Sequence, residues 1–133
     1  MAASNLKGIS MKRIALAALA AVVLPIAAAQ ADPFAVAYGN TVTQTLPDGS
    51  KTVIYVNADK TWERHEANGS VLKGTYAWKD DTHACFTQTD PAPSDPSKAN
   101  GCNEIKGEHK LGETWTEPMG NGQNITMSIT AGR

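Results

Sequence analysis

Basic charge is the first thing this chain runs short of. Lys and Arg together number twelve against thirteen Asp and Glu. Lys7, Lys12 and Arg13 precede Ala31 whereas every acid follows it, so the segment after Ala31 carries 9 − 13 = −4. A domain of that sign suits neither a nucleic-acid backbone nor an anionic membrane surface. Aliphatic bulk is scarce as well, with only twelve Val, Ile and Leu after Ala31, which implies a small core. Nowhere after Ala31 do apolar residues recur at helical spacing for three turns, and that excludes a helical bundle. No Ser sits in a Gly-x-Ser-x-Gly context. His65, His83 and His109, taken with Glu63, Asp81 and Glu108, match no zinc-ligand spacing. Lys79-Asp80-Asp81 lacks the repeating acids of a calcium loop. The pairs Glu63/Glu66 and Glu113/Glu117 read as exposed strand positions. No catalytic residue, metal site or cofactor is therefore assigned, and a non-enzymatic role is expected.

The N-terminal stretch does carry a signal. Lys12-Arg13 is a short positive region, Ile14 to Ala29 is apolar apart from Pro25, and Ala29-Gln30-Ala31 is a small-x-small cleavage site. Residues 1–31 read as a bacterial export peptide in helical form, with Met11 a plausible true start. The alternative is a membrane anchor, but the run is Ala-rich, broken by Pro25 and at the lower limit of a span. Cleavage leaves 133 − 31 = 102 residues, enough for one domain over 32–133 and no membrane span. A periplasmic or secreted location is expected.

An oxidising compartment makes a disulfide the default for the two cysteines, Cys85 and Cys102. The spacing is wrong for a redox pair, and two sulfurs alone do not complete a zinc site. The closed loop holds 102 − 85 + 1 = 18 residues, for which loop entropy gives about 3 kcal/mol.

The rest of the chain is a succession of short β-prone runs separated by turn clusters. Strands are expected over 40–46, 51–57, 61–66, 71–78, 83–89, 102–106, 112–117 and 123–129. Pro47-Asp48-Gly49-Ser50, Ala58-Asp59-Lys60, Asn68-Gly69 and Lys79-Asp80-Asp81-Thr82 supply the turns. Seven or eight short strands with tight connections imply an all-β, antiparallel meander closed into a small barrel. The Pro-rich stretch 89–101 is long enough to be a crossing connection, so a β-sandwich is the alternative.

Tyr55-Val56-Asn57-Ala58-Asp59-Lys60-Thr61-Trp62, then Asn68-Gly69, Gly74-Thr75-Tyr76-Ala77-Trp78 and Cys85-Phe86 form a series. In that order they resemble small bacterial secreted lipocalin-like (calycin-type) barrels over roughly residues 53–88. The resemblance implies a barrel fold. The N-terminal Gly-x-Trp of true lipocalins is missing; only Ala37-Tyr38-Gly39 stands there.

Two surfaces compete for function. Trp62, Tyr76, Trp78 and Trp115 are candidates for lining a ligand mouth, although in a narrow barrel such aromatics first fill the core. The loop carrying Pro91, Pro93, Asp95 and Pro96, tied at its base by sulfur, is ordered in advance for docking a partner. The sequence thus points to an exported binding module of the bacterial envelope, taking a small or peptide-like ligand. The alternative is a periplasmic protease or lysozyme inhibitor acting through loop 89–101.

Overall fold

A computed structural model describes residues 31–133; the expected signal helix lies outside the described residues. Eight strands follow in order: β1 (Thr41–Thr45), β2 (Lys51–Val56), β3 (Thr61–His65), β4 (Val71–Trp78), β5 (His83–Asp90), β6 (Asn100–Glu104), β7 (Thr114–Pro118) and β8 (Asn124–Thr130). Single 3-10 turns stand at η1 (Ala35–Ala37) and η2 (Pro96–Lys98). All eight strands belong to one antiparallel sheet in the order β6-β5-β4-β3-β2-β1-β8-β7, so the sandwich alternative falls. The sheet curls into a half-barrel in which β1 joins β8 through pairs such as Val42↔Ile129. β6 and β7 are left as its two free edges.

The turns share a device that composition alone did not show. Asp48, Asp59, Asn68, Asp80, Asp95 and Asn121 each accept, through Oδ1, the backbone N–H two residues on, at 2.9–3.1 Å. In four of them the Ser or Thr hydroxyl at that position donates to the same oxygen. The Asx turn thereby replaces a backbone hydrogen bond and fixes each reversal locally. Asn68-Gly69-Ser70 is one of these turns. Asp59-Lys60-Thr61 is the variant in which Lys60 takes a φ of 70° where its counterparts have Gly49 and Gly69.

Two strand starts differ from expectation by two residues, and those of β1 and β8 by one. β6 begins at Asn100 because Asn100 already pairs with Thr87. β7 begins at Thr114 because Gly112 has a φ of 83°, a left-handed conformation outside any strand.

The core lies where η1 meets the sheet. Asp32 starts this segment by accepting the Phe34 N–H at 2.9 Å. Phe34 then packs its ring against Tyr76, Trp78 and Phe86, with centroids 5.2, 4.8 and 6.1 Å away. Ala37, Val42, Val56, Tyr76 and Ile129 form the buried cluster around it. Tyr38 donates its hydroxyl to Asp32 Oδ2 and lies 2.9 Å from the Tyr76 hydroxyl. Burial, and then the carboxylate beside it, push the Tyr38 phenol well above its ordinary value. Segment 32–38 is thus a plug bolted across one end of the half-barrel.

Candidate binding site

Strand alternation decides what faces the interior. The inward set comprises Val42 and Gln44 on β1, Ile54 and Val56 on β2, Trp62 and Arg64 on β3, and Phe86 on β5. Gly101 and Asn103 of β6, Trp115 and Glu117 of β7, and Ile125, Met127 and Ile129 of β8 complete it. With Phe34, Val36 and Ala37 of the plug, these residues line a half-open cavity of about 620 Å3. The expectation that side chains fill a narrow interior is therefore corrected. The sheet stays open between β6 and β7, and β6 lines the cavity through Gly101, Asn103 and Glu104, so no large apolar side chain of that strand fills the flank.

The lining is mixed. Phe34, Val36, Ala37, Val56 and Ile129 give it an apolar part, and polar groups enter at Gln44, Arg64 and Glu117 and, on the open side, at Asn103, Glu104, Lys106 and His109. Arg64 Nε stands 2.7 Å from Glu66 Oε1, a charge contact without hydrogen-bond alignment, since buried Nε has no hydrogen-bond partner. Glu66 in turn accepts from the hydroxyl of Thr52, a residue 1% exposed, at 3.3 Å.

Trp62 owes its position to a glycine. Its indole N–H donates to Thr75 O at 2.9 Å, and its ring lies over Gly74. A Cβ on Gly74 would stand 2.6 and 2.7 Å from ring atoms of Trp62 and 1.9 Å from Thr87 O. Trp115 is fixed from the other side. His109 stacks on it at 3.6 Å with the planes 9° apart, and its indole N–H donates to Glu117 Oε1 at 2.9 Å. His109 Nδ1 lies 3.3 Å from Glu113 Oε1. Glu113 also accepts the Lys110 N–H at 2.7 Å; that bond first, then His109, holds its carboxyl below the usual range. The end of the β6–β7 connection is thereby anchored to β7, and Ile105, Lys106 and His109 join the cavity lining.

Of the four aromatics expected at a ligand mouth, Trp62 and Trp115 line the cavity. Tyr76 does not. It is 3% exposed, and its hydroxyl donates to Asn57 O at 3.1 Å. Trp78 lies beyond the plug, in a shallower depression of about 420 Å3 shared with Lys60, Asp80 and Asp81. The cysteines form the Cys85–Cys102 disulfide on the outer face of the β5–β6 hairpin. Pro91, Asp95 and Pro96 are exposed and Pro93 half-buried in the loop it closes. Gln88 Nε2 holds Pro91 O at 2.6 Å and Asp95 caps η2.

The histidines divide. His65 and His83 each meet one carboxylate on the surface, Glu63 at 2.5 Å and Asp80 at 2.9 Å. His109, read from sequence as a solvated residue, is instead part of the cavity wall. Glu63 and Glu66 point to opposite faces as expected, the first toward His65 and Lys73 and the second toward Arg64. Comparison with protein-family models, with curated proteins and with solved structures found no match for this chain.

Proposed function

We propose that the protein is an exported, non-enzymatic binding module of the bacterial cell envelope that holds a small, largely apolar ligand inside a lipocalin-like half-barrel. The observation that carries this reading is the cavity of about 620 Å3 with its largely apolar, Trp-bearing wall. That size and lining suit a small organic ligand, and the plug gives it a rigid floor. The test is titration with the apolar dye anilinonaphthalene sulfonate, followed by dye fluorescence and by quenching of Trp62 and Trp115. Trp115→Ala and Trp62→Ala should weaken dye binding about tenfold, as loss of a buried aromatic contact implies. Trp78→Ala, outside the cavity, should leave it unchanged. Equal binding by all three variants overturns the reading.

The inhibitor alternative keeps one supporting observation: the exposed loop 91–99 is braced by Gln88, by the Asp95 cap and by the disulfide at its base. Deleting 92–99 abolishes capture of a hydrolase if that alternative holds and leaves dye affinity untouched.

A further inference from the structure

The open side of the half-barrel has a property that the cavity alone does not show. Hydrogen bonds from Gln88 N to Ala99 O and from Ile105 N to Thr82 O, 2.8 and 2.7 Å long, bracket the β5–β6 ladder. Pairing alternates along an antiparallel strand, so Gly101 and Asn103 bond to β5. The N–H and C=O groups of Asn100, Cys102 and Glu104 therefore face away from the sheet. On β7, Ile129 N to Glu113 O and Met119 N to Gln123 O set the same parity. Thr114, Thr116 and Pro118 face outward there, and Pro118 has no N–H to offer. No strand pairs with either edge among the described residues.

Edges of this kind are usually blunted by Pro, by a bulge or by a covering segment. β7 has its Pro. β6 has none, is exposed at all five positions, and carries three outward N–H groups. Its inward positions, Gly101 and Asn103, border the cavity, and a Cβ on Gly101 would meet nothing within 4 Å. A strand laid beside β6 would send every second side chain into that space, near Phe86 and Trp115. The chain from the end of β6 to β7 carries Glu104, Glu108, Glu113 and Glu117 against Lys106 and Lys110, an excess that favours a basic complement.

We propose that the free edge of β6 docks an extended segment of a partner protein, alternating apolar and basic residues, which adds to the sheet as a further strand. Main-chain pairing gives the affinity, the cavity takes the apolar side chains, and the acids select the charge. The inward side chains rest on the cavity reading above; the main-chain pairing does not.

The experiment uses the purified protein and a short synthetic peptide alternating lysine and valine, with binding followed by NMR amide exchange. Amide protons of Asn100, Cys102 and Glu104 are expected to slow at least about tenfold on binding, while those of Gly101 and Asn103, already paired, stay as they were. N-methylation of the peptide at alternate residues should weaken it more than about tenfold, the loss of one or two main-chain bonds. A glutamate–valine peptide should bind more weakly than the lysine one. Glu104→Pro removes one outward N–H and should weaken binding; the N-methylated peptide asks the same question without altering the fold. No binding, equal binding of the N-methylated peptide, or unprotected β6 amides each overturn the proposal. So does protection that rises with protein concentration in the absence of peptide, which would assign the edge to a second copy of the chain. Dye binding without β6 protection leaves the cavity reading standing and removes this one; β6 protection without dye binding does the reverse.

Discussion

Gly74→Ala is the substitution that most directly tests how the wall of the cavity is built. One added carbon would stand 1.9 Å from Thr87 O, a backbone atom of β5, and 2.6 Å from the Trp62 ring. The ring can swing away; the carbonyl cannot, because β5 is held by β4 on one side and β6 on the other. Overpacking typically costs about 1–3 kcal/mol, and a contact with fixed backbone puts this site at the top of that range. At about 3 kcal/mol, a domain of roughly a hundred residues should lose about 12–20 °C in Tm. The indole N–H of Trp62 should also lose Thr75 O, shifting tryptophan emission to the red.

Two controls separate the causes. Trp62→Ala in the Gly74→Ala background removes the ring contacts but not the carbonyl, so it should rescue only part of the loss in a double-mutant cycle. Gly101→Ala, where a Cβ meets nothing within 4 Å, should be neutral or slightly stabilising, since glycine in a strand carries an entropic cost. Thermal unfolding by circular dichroism reads all three. A Gly74→Ala protein that melts with the parent refutes the close approach and, with it, the account of why Trp62 faces inward.

Replacing Cys85 and Cys102 together by Ala should cost about 3 kcal/mol, the loop-entropy term for 18 residues; a loss under about 1 kcal/mol in urea unfolding would contradict it. Tyr38→Phe removes the bolt to Asp32 and Tyr76 and should destabilise by about 1–2 kcal/mol, with faster amide exchange across 34–38 as the local signature. The turn carboxyls of Asp48, Asp59, Asp80 and Asp95 are held below their ordinary range by the hydrogen bonds they accept. A depressed folded-state value means stability present above the unfolded carboxyl pKa, about 3.9, and lost as pH falls through the lower folded values. The Tm should therefore hold from neutral pH to about 4 and fall below it; Asp80→Asn should flatten that fall, and an unchanged acid profile would count against the turn bonds.

How much of this was legible depends on the range of the interaction. β4 runs from Val71 to Trp78 in sequence and structure alike, because Asn68-Gly69 and Asp80-Asp81 bound it and its side chains alternate without interruption. The disulfide was legible too, from an even pair of cysteines and the oxidising compartment expected of an exported chain. The plug leaves only a faint local signal, Asp32-Pro33 as an Asx acceptor followed by proline, because its packing on Tyr76, Trp78 and Phe86 is long-range. The Asx-x-Ser/Thr repeat was visible at Asp48, Asp59, Asn68, Asp80 and Asp95 and would have unified turns read one by one. The cavity was not legible. Its volume depends on the curl of the sheet and on which strand supplies small residues to the open side, and period-two patterning reports neither. His109 escaped for the same reason: its stacking on Trp115 is set by a connection whose path follows from where β6 ends relative to β7.

These observations explain why the cross-link sits where it does. β1 and β8 are flanked on both sides and contribute Val42 and Ile129 to the buried cluster, so packing alone holds them. β6 has a ladder on one side only and no buried residue, and the twelve Val, Ile and Leu side chains after Ala31 leave little to cover it. An edge strand with so little burial lies at the low-stability end of local opening. Sulfur joins it to β5 at the central pair of its ladder, Cys85↔Cys102. Local restraint at that point keeps an uncovered edge in register while leaving its outward hydrogen-bonding groups and the adjoining cavity accessible. Covering β6 with aliphatic residues would stabilise it as well, but would close the side on which both binding readings depend.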